Sequence, residues 1–192
     1  MKRTTNNPKI NVRIVTMMAL CIGINFLGGS IALFLRLPIY LDSIGTIFAG
    51  AIGGPIVGLV TGLLSGLLSG ITTDIFSLYY SPVQIVTGLL AGFLLKGKLI
   101  KKRSWKIPGL AFLLSFPGTL VSSFITVYLF GGITSSGSSL IVQVLNGLGM
   151  TQTISVILVQ TGTDYLDRLL SVMVVVAVVA ILPKRNLFLS NP

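Results

Sequence analysis

Apolar residues fall in long blocks along this chain, separated by short polar, glycine or proline breaks. The blocks at 14–35, 42–53, 56–71, 82–95, 107–130 and 165–182 each read as a helix. About 20 apolar residues suffice to cross a hydrocarbon core as a helix, and the longest blocks meet that length. The second and third blocks are split by Gly53, Gly54 and Pro55. Proline lacks an N–H and its ring clashes with the preceding turn, so this tripeptide predicts a tight hairpin. The fourth block opens on Pro82 and the last is closed by Pro183, both at positions where a helix tolerates or requires proline.

The stretch 140–159 is apolar enough to span but carries Gln143, Asn146, Gly147, Gly149, Thr151, Gln152 and Thr153. Charge decides how to treat it. Basic residues cluster at Lys2, Arg3, Lys9 and Arg13, at Lys96, Lys98, Lys101, Lys102, Arg103 and Lys106, and at Lys184 and Arg185. With six spans all three clusters fall on one side, as the positive-inside rule asks, and a seventh would separate the tail from the others. The expectation is an all-α integral membrane protein, a single membrane domain over 1–192. It has six transmembrane helices, cytoplasmic N- and C-termini, and an outward excursion of loop and short or broken helices at 131–160. Irregular backbone at membrane depth survives only where it is buried in protein or lines a cavity, so the excursion is expected to help form one.

Composition agrees: 53% of the 192 residues are hydrophobic, 9% are charged and the mean hydropathy is +0.95. Water-soluble domains carry about a quarter charged residues. The first block is too long for a signal-peptide core and lacks a small-x-small site after it. The net charge of +10 abuts apolar blocks, which points to anionic lipid headgroups and not to nucleic acid. One cysteine and no histidine leave no disulfide framework, no thiolate metal cluster and no histidine base, so no enzyme, cofactor or metal site is expected. No GxxxxGK[ST] phosphate loop occurs, so any active uptake needs an energy source on a partner. "DYLD" at 164–167 is half of an acidic metal motif at best, without a second cluster.

All four acids, Asp42, Asp74, Asp164 and Asp167, sort to the outward side. Of these, Asp42, Asp164 and Asp167 join Tyr40, Tyr80, Gln84, Ser135 and Asn146 as candidate substrate-binding residues. Asp42 either caps the second helix or faces a ligand. Asp164 can cap the last helix or pair with Arg168 four residues on, and Asp167 can serve a ligand or pair with Arg168 or Arg36. Tyr79 and Tyr80 suit either a stacked ring or an interfacial aromatic belt. With Arg36 and Arg168 as the only outward cations, a neutral or weakly charged ring compound fits better than a polyphosphate. Gly58, Gly62, Gly66 and Gly70 recur every four residues, a pattern of close internal helix packing. Ala19 and Gly23 share that spacing on the first helix, where internal packing and docking onto a partner helix are both open. Asn25, near the middle of that helix, reads as interhelical hydrogen-bond glue.

Taken together, the small pair on the first helix, "LPIYLDSIGTIFAGAIGGP" at 37–55, "LFGGITSSGSS" at 129–139 and "DYLDRLLSV" at 164–172 resemble an S component. S components are the substrate-binding membrane subunits of energy-coupling factor (ECF) transporters, and the likeness covers nearly the whole chain, nearest to a subgroup without a settled substrate. The resemblance implies a high-affinity capture subunit of an ECF-type ABC importer for a vitamin, nucleoside or nucleobase-like micronutrient, in a bacterial or archaeal cell membrane. Its implied partners are a coupling transmembrane subunit and two cytosolic ATPase subunits, with Ala19 and Gly23 at the docking face, although the family's usual pair is two alanines. The competing reading is a ligand-sensing membrane module acting through a partner.

Overall fold

The computed structural model describes residues 12–95 and 106–181. All of its regular structure is helical: α1 Val12–Phe34, α2 Ile44–Gly53, α3 Pro55–Thr72, α4 Ile75–Tyr79, α5 Ser81–Leu94, α6 Ile107–Tyr128, α7 Ser138–Gly147 and α8 Gln152–Ile181. Of these, α1, α3 and α6 are long and apolar enough to cross a membrane. α2 and α5 are apolar but shorter, and α8, the longest, carries Asp164, Asp167 and Arg168 within it. Most residues of the three basic clusters lie outside the described residues.

The expected hairpin is present in its shortest form. Gly54 alone separates α2 from α3, with φ 91°, a conformation in which a side chain would be strained. Pro55 then opens α3, where the missing N–H has no partner to lose. α2 is the central element, with eight of its ten residues buried. The glycines of α3 pack internally: a Cβ on Gly58 would press on the Gly88 carbonyl of α5, and one on Gly88 would press on the Gly58 carbonyl. Asn25 of α1 ties three helices together. Its Nδ2 donates to Thr46 Oγ1 (2.8 Å) and Ser65 Oγ (2.9 Å), and its Oδ1 accepts from the Gly45 N–H (2.7 Å).

The excursion needs correcting. α7 is the short helix expected there, but α8 begins at Gln152, so 152–164 belongs to the last helix and not to a loop. Of the polar residues that suggested otherwise, Gln152 and Thr153 lie on α8 and are exposed, while further along the helix Gln160, Thr163 and Asp164 are buried against α6 partners or their own helix. Asp164 is therefore mid-helix and caps nothing. α4, five residues capped by Asp74 Oδ1 accepting from the Phe76 N–H, is an element the hydropathy pattern does not announce.

Lengthwise, the molecule has two unlike ends. Ile47, Ala51 and Ile52 of α2, Ala91 and Leu95 at the end of α5, Leu114 of α6, and Val172, Val175 and Val179 of α8 form an apolar core. The opposite end is built from polar side chains around a cavity.

Candidate functional site

The cavity holds about 100 Å³. Its walls are the C-terminal half of α1, the connection 37–42, the last turns of α3, α4, the first turn of α5, Ser122 of α6, the loop 134–136, and Asp164 and Arg168 of α8. Of the sequence-predicted site residues, Tyr40, Asp42, Tyr80, Gln84, Ser135 and Asp164 line it. Two do not. Asn146 is exposed on α7, and Asp167 lies behind the 40–43 connection, fully buried.

Asp167 is engaged throughout. Its Oδ1 accepts from the Tyr40 (3.2 Å) and Leu41 (2.7 Å) N–H groups, and its Oδ2 from Ser43 Oγ (3.0 Å) and Arg168 Nη1 (2.6 Å). Arg168 thus pairs with Asp167 and not with Asp164, and Nη1 also reaches Ser43 Oγ. The carboxylate fastens the α1–α2 connection to α8, which corrects its expected place on the ligand surface. Asp42 does not cap α2, whose N-terminus has no side-chain cap. It turns to the cavity beside Gln84, whose Nε2 donates to the Asp42 carbonyl (3.2 Å).

Opposite, a hydroxyl and amide chain joins α5, α6 and α8. Ser122 Oγ donates its proton to Asp164 Oδ2 (2.9 Å), the nearer of two acceptors, with Gln160 Oε1 3.2 Å away, and Gln160 Nε2 donates to Thr126 Oγ1 (2.5 Å). The Thr126 hydroxyl gives its own proton to the Ser122 carbonyl (2.8 Å), so Tyr80 is the donor in the Tyr80–Thr126 pair. Burial pushes the Tyr80 phenol up to about 12, which keeps that proton in place. Tyr40 is pushed up as well, first by burial and then by the nearby Asp164, and its hydroxyl meets Ser138 Oγ (3.3 Å).

The outer cover is α4 with the 129–137 segment. Phe130 packs against Phe76, Tyr79 and Tyr80, with ring centroids 4.7, 5.3 and 6.1 Å away, and Ser135 Oγ donates to Asp74 Oδ2 (2.6 Å). Tyr79 is exposed, while Tyr80 turns inward and lines the cavity.

No protein-family model, curated protein or solved structure matches the chain.

Sequence reasoning had named Asn25 and Arg168 for other roles and passed over Asp74, Phe76 and Ser122. Spacing could have found Ser122: with Thr119 and Thr126 it marks one face of α6, at three- and four-residue intervals. Ala19 is exposed, and a Cβ on Gly23 would meet nothing within 4 Å, so this small-residue pair packs against no other part of the described chain.

Proposed function

We propose that this chain is the substrate-capture membrane subunit of an ECF-type importer for a small micronutrient, with six spans and cytoplasmic termini in a bacterial or archaeal cell membrane. The observation that carries the reading is the cavity: a concave site of polar groups set among apolar ones, built by six helices and two connections at one end of an otherwise apolar helical body. A few converging polar groups in a concave, sheltered site are what small-molecule recognition requires. The open small-residue face at Ala19 and Gly23 supports a docking role toward a coupling subunit, since small residues one turn apart let another helix approach. The two ATPase subunits of that reading would supply the energy this chain has no phosphate loop to harvest. Capture and delivery need no bond-making, so the function is binding and not catalysis.

Mass spectrometry of the detergent-purified protein tests capture: a stoichiometric small molecule released on denaturation is expected. Affinity purification from the native membrane tests assembly, with a coupling subunit and ATPases expected in the eluate. A preparation that carries no ligand and recovers no ATPase overturns the reading.

A further inference from the structure

The acids of this chain are gathered at one place. Asp42, Asp74 and Asp164 line the cavity, and Asp167 stands just behind its wall. Among the described residues Arg168 is the one cation in that lining, and its Nη1 is already paired with Asp167. Asp74 caps α4 and accepts from Ser135, so its carboxylate is largely engaged. Asp42 and Asp164 remain facing the cavity, and the one cation near them, Arg168, is already paired with Asp167. A metal ion does not fill this role, because no three ligating side chains among the described residues converge to hold one.

A second, independent feature points the same way. Gln84 is 5% exposed and lines the cavity, and its Oε1 has no hydrogen-bond partner. Buried acceptors are paired in nearly all folded proteins, and an orphan facing a cavity marks where a donor belongs. Two carboxylates and an amide oxygen are all acceptors, so the missing group is a donor and is positively charged. Arg168 Nε, also buried and unpartnered, adds a place for one acceptor atom. The volume sets an upper scale: about 100 Å³ is below the roughly 150 Å³ of an apolar cavity that admits benzene, so the body is no larger than one ring.

We propose that the cavity takes a small organic cation: a protonated amine or amidine on a body about one ring in size. Its N–H groups bond Gln84 Oε1 and the Asp42 and Asp164 carboxylates, and one acceptor atom meets Arg168 Nε. The proposal rests on the capture reading and names its substrate class. Phosphorylated and carboxylated compounds are excluded by the same acids.

Three probes of matched shape test it on the wild-type full-length protein in detergent: benzylamine, benzyl alcohol and benzoate, each titrated by thermal shift and calorimetry. Benzylamine is expected to bind and raise Tm, with the alcohol and benzoate weaker by about tenfold or more, the usual worth of a charged hydrogen bond. In the Asp42→Asn and Gln84→Met proteins the preference for benzylamine over benzyl alcohol is expected to shrink, a ratio that does not depend on overall stability. Equal or stronger binding of the alcohol or benzoate overturns the charge assignment, as does binding of none of the three. The capture reading is judged separately, by the co-purifying ligand and the ATPase pull-down. An anionic or neutral molecule found there would leave capture standing while sinking the cation.

Discussion

Arg36 and Leu41 both adopt left-handed backbone, with φ of 50° and 54°. For residues with a Cβ that conformation costs roughly 1–2 kcal/mol each. At Leu41 the structure shows what offsets it: the turn aims the successive Tyr40 and Leu41 N–H groups at one oxygen of Asp167. Replacing Asp167 by Asn removes that charge and leaves Arg168 buried beside a neutral amide. The expected loss is about 3–5 kcal/mol, the range for breaking a buried pair, read as a lower melting temperature in detergent. Asp42→Asn, next to Leu41, is expected to leave the melting temperature nearly unchanged, because that carboxylate caps no helix. Similar melting losses in both proteins would show that the two acids do not divide the work as their surroundings indicate. Arg36 is exposed, so its strain can be tested without disturbing packing. Arg36→Gly is expected to be neutral or mildly stabilising, and Arg36→Val to cost upwards of about 1 kcal/mol, since β-branched residues tolerate positive φ least.

At the scale of whole helices, the α3–α5 seam and the outer face of α1 use glycine for opposite ends. Alanine is favoured over glycine inside a helix by about 1 kcal/mol. At Gly88 the added methyl would strike the Gly58 carbonyl, which is backbone and cannot rotate away. Gly88→Ala is therefore expected to destabilise by about 1–3 kcal/mol, overpacking outweighing propensity. At Gly23 the methyl has open space, so Gly23→Ala is expected to raise the melting temperature of the isolated protein. Melting of the two variants side by side checks both signs. The regular spacing of Gly58, Gly62, Gly66 and Gly70 made the seam legible in the sequence, as did the break at Gly53–Pro55 for the α2–α3 hairpin. The start of α8 was not legible. Gln152, Gln160, Thr163 and Asp164 lower the local hydropathy much as a loop would, yet they sit on one helix, which leaves Gln152 exposed and turns the other three inward. Hydropathy reports how polar a segment is, not whether its polar groups meet protein or water. Asn146 misled in the opposite sense, since it lies on α7 facing away from the site. Asp167 was rightly sensed as an interior acid, but sequence could not say whether the interior was cavity or wall.

For the whole molecule, the division into an apolar end and a cavity end sets where it can open. The apolar end joins α2, α5, α6 and α8 through one continuous cluster. The cavity end is closed by α4 and 129–137, with Phe130 set among three aromatic rings. Phe130→Ala is expected to speed dissociation of a bound ligand by about tenfold, through loss of aromatic contacts worth about 0.5–1.5 kcal/mol each. Stopped-flow release measures this, and an unchanged rate would show that the cover does not control escape. The helices also differ in length. α2 has 10 residues and α8 has 30, about 15 Å and 45 Å at 1.5 Å per residue, against a hydrocarbon layer of about 30 Å. Because α2 is almost wholly enclosed, its shortness is hidden from lipid, while α8 keeps one face exposed along its length. In a bilayer the helices with exposed faces would still differ, α3 with 18 residues against α8 with 30, so the layer around them would thin or tilt locally, at a cost of fractions of a kcal/mol per Å. The resting inclination of the protein in a membrane should thus respond to acyl-chain length, a thickness sensitivity written into unequal helices.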